Sequence, residues 1–373
     1  MRKRDVHTTH KGAKTHARSE RGILFCVTNP NHLDKATWKV VSPPPALTPA
    51  TIDALLTAWR GDVAVTAVEP LAGGIMNWNY RIRLSGSAEQ FVLRFYDRNP
   101  ESCAKEVKIL DLVQSDVPVP RVLFVEPRGA AGYPPFCVLE FIEGISLREL
   151  RRRGDAKALA DASYDAGRLL ARLQRHRFDR SGRLSAGLTV EDDVLAGVSL
   201  VGVVDHFVES PVVAGRLDAG LRERLRSFVR ATEPLHASPS EPASLVHGDF
   251  NSPNIFVRQD GGRWVVAAIL DWEFAFSGSM FADIGNMLRY ERPGQSRYEP
   301  HFSRGLVDGG WEPAGDWSLR ARLADLPALC ELLTRDDVPD VIVTELRDLI
   351  TDTLTASVHG AGHLVTRRLT PEH

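Results

Sequence analysis

One stretch of the chain constrains its fold more than any other. Residues 254–259 (NIFVRQ) and 263–271 (RWVVAAILD) are apolar-rich runs separated by Asp260-Gly261-Gly262. Asp-Gly between two such runs is among the strongest short-range signals for a β-hairpin. Antiparallel pairing returns Asp271, last in the second run, to the end where the first run starts at Asn254. The feeding loop, His247-Gly248-Asp249-Phe250-Asn251-Ser252-Pro253, brings Asp249 to the same end. A carboxylate, a carboxamide and a second carboxylate converge on one spot. Hard oxygen donors of this kind suit Mg²⁺, which keeps several of its positions for water or phosphate oxygens. One remaining carboxylate can orient or deprotonate a hydroxyl.

Upstream, five runs have strand character: 63–71, 80–84, 90–96, 121–126 and 136–142. One helical segment, 101–114, is inserted after the third, with Cys103, Val107, Leu110 and Val113 on one face. A leading helix is expected from Thr48 as cap and Pro49 in the first turn, with Ile52, Leu55, Leu56 and Trp59 as its apolar face. Past Gly144 the pattern turns helical, with segments at 146–152, 157–176, 190–208, 218–232, 318–334 and 339–358. The fold class read from this order is α+β. A small five-stranded antiparallel lobe with one inserted helix (46–143) precedes a larger helical lobe (144–373) that carries the hairpin.

Residues 1–45 stand apart. They hold nine Lys/Arg against three acids, show no helical period and close on Pro43-Pro44-Pro45. A basic, disordered extension is expected there. The whole chain has a formal net charge of only -2, so no global field recruits nucleic acid. The longest apolar run, Val194 to Val204, is too short to span a bilayer. Neither nucleic acid nor membrane is therefore an expected partner. The four cysteines (Cys26, Cys103, Cys137, Cys330) form no CxxC pair, which fits a reducing, cytoplasmic setting.

The pattern H-x-D-x-x-x-x-N followed by a strand-end Asp resembles the catalytic loop and metal-binding arrangement of kinases. In the form HGDFNSPN, with Leu270-Asp271-Trp272-Glu273, it is similar to the aminoglycoside phosphotransferase family, which includes choline-kinase-like and other small-molecule kinases. The resemblance spans residues 60–360, and no A-P-E segment or long activation loop accompanies it. It implies a two-lobed protein-kinase-like fold. It also implies transfer of the γ-phosphoryl group of ATP, with Mg²⁺, to a hydroxyl of a small molecule: an aminoglycoside-like antibiotic, an amino alcohol or a sugar. GTP is an alternative donor. On this resemblance Asp249 is the catalytic base or hydroxyl-orienting residue, Asn254 and Asp271 hold Mg²⁺, and His247 and Asp283 brace the loop. The small lobe binds the nucleotide: Glu140 to Ile142 meets the adenine edge, Gly73-Gly74 with Asn77 covers the phosphates, and Arg94 takes the place of the third-strand lysine with Glu106 as its helix partner.

Arg94 is the main departure from the kinase pattern. Arginine offers a planar fork and stays charged; by pattern alone it also suits a solvated strand position. Two other functions stay open. One is a nucleotide-binding pseudokinase without turnover, which Arg94 supports. The other is a metal-dependent hydrolase on His247 and Asp249, for which the hairpin supplies no further ligands. Glu273 is a candidate second-ion ligand or a structural carboxylate, and Trp272 reads as a core anchor. The fold does not fix the acceptor. Glu331, Asp336, Asp337 and Asp340 either face a polyamine-like acceptor or form a solvated helix end. Trp311, Trp317 and Tyr298 either frame a pocket or pack the core.

Overall fold

A computed structural model describes residues 45–61, 64–71, 77–191, 199–236, 243–291, 297–313, 315–335 and 338–356. The expected basic extension lies outside the described residues but for its last position, and so do Gly73, Gly74, Asp336 and Asp337. Helix α1 (Pro49–Arg60) starts as its sequence dictates: the Thr48 hydroxyl accepts the Thr51 N–H at 3.2 Å, and Pro49 needs no N–H partner in the first turn. Its Ile52, Leu55 and Leu56 are buried against a five-stranded sheet. That sheet comprises β1 (Val65–Pro70), β2 (Trp78–Leu84), β3 (Gln90–Phe95), β4 (Val122–Glu126) and β5 (Phe136–Glu140). The order is β1-β2-β3-β5-β4 and every pairing is antiparallel. Helix α2 (Ser102–Val113) is inserted between β3 and β4. Strand alternation on β3 divides its side chains: Phe91, Leu93 and Phe95 join the core under α1, while Val92 and Arg94 face a cleft on the other side.

The larger lobe opens with the two-residue strand β6 (Ile145–Ser146), α3 (Leu147–Arg153), α4 (Ala156–Leu173) and β7 (Gly182–Arg183). Helices α5 (Leu200–Glu209), α6 (Pro211–Arg216) and α7 (Ala219–His236) follow, then β8 (Ser244–Val246) and the hairpin β9 (Ile255–Asp260) and β10 (Arg263–Ile269). Strand β11 (Phe276–Gly278), α8 (Phe281–Leu288), α9 (Glu299–Asp308), α10 (Trp317–Leu332) and α11 (Asp340–Ala356) complete the order. In the hairpin Asp260 pairs with Arg263, which leaves a two-residue turn of Gly261 and Gly262 with φ of 55° and 81°. Such turns need φ > 0 at both positions, which glycine supplies without strain. At the far end the Leu270 N–H donates to the Asn254 carbonyl at 2.9 Å, which sets Asn254 across from Asp271 as the pairing argument requires.

Two apolar cores lie in this lobe, one under the hairpin and α4, the other among α5, α7, α10 and α11. Helices α4 and α9 cross so closely that a Cβ on Gly167 would lie 2.0 Å from the Phe302 carbonyl oxygen, and one on Gly305 2.0 Å from that of Tyr164. Trp311 packs edge-on against both Trp317 and Phe281, and Tyr298 is fully buried. These aromatics pack the core rather than frame a pocket. The helix expected over 190–208 begins instead at Leu200, because the Ser199 hydroxyl caps it by accepting the Gly202 N–H. Helices α8 and α9 were not anticipated: Asp283 and Asn286 break the apolar stripe of α8, and Pro300 and Gly305 weaken the helical signal of α9.

Candidate active site

The loop 247–254 is held from behind by hydrogen bonding. Gly248 takes φ = 78°, a left-handed turn. It presents two consecutive N–H groups to one carboxylate: His247 N–H donates to Asp283 Oδ2 at 2.7 Å and Gly248 N–H to Oδ1 at 2.9 Å. Asp283 is fully buried on α8, and burial pushes its carboxyl up to about 7 against the pull of those two donors. His247 is equally buried. Its Nδ1 accepts the Asp249 N–H at 3.0 Å, so Nε2 carries the proton and donates to the Leu270 carbonyl at 2.9 Å. Burial lowers this imidazole to about 4 and keeps it neutral. Trp272 is fully buried 4.4 Å from the imidazole centroid and gives its Nε1–H to the Ile269 carbonyl, a core anchor as expected. With both ring nitrogens engaged inside the fold, His247 has no lone pair to offer a metal, which removes the hydrolase alternative. Among the described residues, moreover, no group of three or more His, Cys, Asp or Glu is arranged to hold an ion.

On the front of the loop Asp249 Oδ2 accepts from Asn254 Nδ2 at 2.7 Å, and its other oxygen accepts from Asn251 Nδ2. Asn251 was not singled out in the sequence, although its position two residues past Asp249 makes the contact a local one. Asn254 spends its N–H₂ group on Asp249, which turns its carboxamide oxygen away from that carboxylate. Across the hairpin end Asp271 has φ = 64° and ψ = 62°, a left-handed conformation that Asp tolerates better than most residues. It lies between β10 and the 3₁₀ turn Trp272–Phe274. Asn254 and Asp271 line the same cleft, and one carboxylate with one carboxamide oxygen is a donor set that fits Mg²⁺.

Arg94 lies opposite and is buried. One guanidinium nitrogen donates to Asp271 Oδ1, Nη2 lies 3.4 Å from Glu273 Oε1, and Nε lies 3.2 Å from Glu106 Oε2. The Nε contact has the distance of an ion pair without the alignment of a hydrogen bond. Three carboxylates on one cation, in a buried setting, exclude the solvated-strand alternative. Glu106 is further fixed by the Tyr96 hydroxyl at 2.7 Å and the Trp272 N–H at 3.1 Å. Burial raises both Glu106 and Glu273, the latter to about 8, against the opposing charge of Arg94. Asn77 is buried and donates through Nδ2 to Glu273 Oε1 at 2.9 Å, so its amide is turned to that carboxylate. Gly73 and Gly74, expected beside it, lie outside the described residues.

The cleft has a volume of about 500 Å³, and Arg94, Glu106, Glu140, Ile142, Asn254 and Asp271 all line it. Glu140 gives its N–H to the Arg121 carbonyl at 2.9 Å, and its side chain accepts from Arg121 Nε at 3.0 Å. Glu331 on α10 and the exposed Asp340 at the start of α11 are not among the lining residues. One further buried pair, Arg289 with Asp325 at 2.6 and 2.8 Å, ties the end of α8 to α10.

A five-stranded lobe with an inserted helix, a helical lobe and a braced Asp-Asn loop facing a strand-end Asp define a kinase-like phosphotransferase fold. The model of the phosphotransferase enzyme family matches residues 67–317, well over half of the chain, and the chain belongs to that family. Solved structures share the fold. A GDP complex of a mutant of aminoglycoside 2'-phosphotransferase-IIIa has a TM-score of 0.62 at 19% identity, covering 84% of this chain and all of that one. A ternary complex of aminoglycoside phosphotransferase APH(4)-Ia with AMP-PNP and hygromycin B has a TM-score of 0.60 at 17% identity, covering 83% of this chain and 99% of that one. Among curated proteins, Acyl-CoA dehydrogenase family member 10 of Mus musculus is 27% identical over 228 residues, or 59% of this chain. The matched stretch is 20% of the mouse protein, so the chain spans about one fifth of that relative. No helix among the described residues is long and apolar enough to cross a membrane.

Proposed function

We propose that the chain transfers the γ-phosphoryl group of ATP to a hydroxyl of a small molecule. The observation that carries this is the convergence of Asn254, Asp271 and Arg94 at one end of a cleft whose other end is the Glu140–Ile142 segment, with Asp249 hydrogen-bonded to Asn254 beside it. Asp249 receives or orients the acceptor's hydroxyl proton. The hydroxyl oxygen forms the new bond to phosphorus while the bond to the bridging oxygen of ADP breaks and leaves with its electron pair. Asn251 and Asn254 hold the Asp249 carboxylate in one rotamer for that contact. Asn254 and Asp271 would hold Mg²⁺, which neutralises phosphate charge when bound. Arg94 swings its fork between Asp271 and the phosphates, with Glu106 and Glu273 as fixed posts. The Glu140 N–H is spent on Arg121, so an adenine edge is met by the carbonyl of Glu140 and the backbone of Phe141 and Ile142. His247 and Asp283 brace the loop and touch no substrate.

The deciding experiment is Asp249→Asn. ATP affinity by calorimetry is expected to hold while turnover drops about 10²-fold or more, the usual scale for a positioned acid or base. Loss of nucleotide binding with the fold intact would refute the role of Asp249, and full turnover in EDTA would refute the metal. One observation favours the pseudokinase as a second reading: the guanidinium of Arg94 sits on the very carboxylate that would hold the metal. ATP binding without turnover across a broad acceptor panel would decide for it.

A further inference from the structure

Along α8 and its C-terminal cap, Asp283, Asn286 and Arg289 follow at intervals of three, so each neighbours the next on the helix surface, and all three are buried. Asp283 is the brace of His247 and Gly248 described above. Asn286 reaches the next stretch of the same loop. Its partners set the orientation of its carboxamide: Oδ1 accepts from Arg289 Nη2 at 3.0 Å, and Nδ2 donates to the Phe250 carbonyl at 3.3 Å. Arg289 is held in turn by Asp325 on α10, through Nε at 2.8 Å and Nη2 at 2.6 Å. Burial opposes the Arg289 charge, and the carboxylates of Asp325 and, less, of Asp249 outweigh it. One turn earlier the two helices already meet closely, since a Cβ on Gly285 would lie 2.2 Å from the Ala321 carbonyl oxygen. Gly285 and Arg289 are one turn apart on the first helix, as Ala321 and Asp325 are on the second, so the ion pair is the next contact along one crossing.

Resting on the phosphotransferase reading above, we propose that Asn286 and Arg289 are positioning residues for Asp249. The path is short. The Phe250 carbonyl belongs to the peptide that leads into Asn251, and Asn251 Nδ2 donates to the Asp249 carboxylate. A hydrogen bond on that carbonyl fixes the backbone from which Asn251 holds Asp249. Asn254 grips the other carboxylate oxygen at 2.7 Å, and its own carbonyl is tied to the hairpin end by the Leu270 N–H. The two oxygens of Asp249 thus rest on two separate supports: the hairpin through Asn254, and α8 with α10 through Asn251. Arg289 decides which end of the Asn286 carboxamide meets Phe250, because a donor on Oδ1 leaves Nδ2 for the carbonyl. A reversed amide would set oxygen against oxygen. Neither Asn286, Arg289 nor Asp325 lines the cleft assigned to the nucleotide, so their loss falls on transfer and not on ATP binding.

The test pairs two readouts on the full chain: ADP release from Mg·ATP with water, choline, glucose and hygromycin B as acceptors, and amide hydrogen exchange of the loop. The reporters are the Asn251 N–H, which donates to the Asp249 carbonyl at 2.9 Å, and the Asn254 N–H, which donates to that of Asn251 at 3.0 Å. In Asn286→Ala, kcat is expected to fall about tenfold or more with the ATP KM unchanged, and both amides to exchange about tenfold faster. Arg289→Met with Asp325→Leu replaces the buried pair by apolar side chains, which keeps the fold, and should give the same two changes. Adding Asn286→Ala to that variant should cost nothing more, because the residues act as one chain. Arg289→Lys with Asp325 intact should recover part of kcat. Wild-type kcat and loop exchange in Asn286→Ala, losses that add, or a change confined to the ATP KM would overturn the proposal. So would a lowered melting temperature with faster exchange throughout the protein and kcat unchanged, the mark of a merely structural role. Absence of ADP release from the wild type with every acceptor would remove the phosphotransferase reading, and the exchange measurement would still decide whether α8 holds the loop.

Discussion

Around His247 the buried polar groups meet through shared hydrogen bonds: a neutral imidazole between an amide and a carbonyl, and one carboxyl under two N–H groups. Around Arg94, which meets the end of the hairpin at Asp271, three acidic side chains share one guanidinium. The first arrangement has little freedom, because each donor has one acceptor and removal of either leaves a buried group unpaired. The second has slack, because a cation among three carboxylates can give up one and keep two. A loop that must hold one carboxylate in place suits the first, and a site that must admit a metal and a polyanion suits the second.

The difference is open to attack, the largest effect first. Arg94→Ala strands the buried Glu106 and Glu273, so thermal melts are expected to show a loss of about 3–5 kcal/mol, with part of it recovered by adding Glu273→Gln. Arg94→Lys keeps a point charge and should lose less stability and less ATP affinity. An unchanged melting curve for Arg94→Ala would show that charge does not hold this side together.

The next effect appears only with pH. The folded state keeps His247 at about 4, while an unfolded histidine titrates near 6.5. Between those values the unfolded chain binds a proton that the native chain does not, so the stability contributed at neutral pH is lost as pH falls from 6.5 toward 4. His247→Gln removes that acid loss, roughly 3 kcal/mol across the window. Parallel denaturant curves for wild type and variant at pH 7 and pH 4 would deny that the imidazole is held neutral.

Asp283→Asn tests the bracing directly. A carboxamide has one acceptor oxygen for two N–H groups, and its own N–H₂ faces the other, so a loss of about 1–3 kcal/mol is expected. Turnover should fall with ATP affinity kept, because Asp249 is displaced and the Arg94 side is not. The smallest change in stability is expected at Asp271→Asn, below about 1 kcal/mol, since Asn also tolerates the left-handed backbone and Arg94 keeps Glu106 and Glu273. The same variant should lose most of its Mg²⁺-dependent turnover. That split, read by melting temperature against steady-state rate, sets the roomy side of the site against the rigid one.

How much of this was legible in the chain depended on how local the cause was. The hairpin, the five strands with one inserted helix, and the meeting of Asn254 with Asp271 follow from turn chemistry and alternation, which act over a few residues, so the sequence by itself determined them. The brace of His247 by Asp283 came from resemblance to a family, because 36 residues separate the donor from its acceptor and no local pattern joins them. Other features only the tertiary structure decided. Arg94 reads as either a phosphate contact or a solvated charge until α2 and the turn after β10 close on it from distant parts of the chain. The sequence puts Asn77 beside the phosphate-covering glycines, and only packing gives its amide to Glu273, 196 residues away. Helix α8 was missed for the same reason: its polar residues interrupt the apolar stripe because they serve the loop, and what they serve is set by long-range packing. Alternation fixed which face of β3 Arg94 occupies, and only the packed fold supplied the three carboxylates that meet it there.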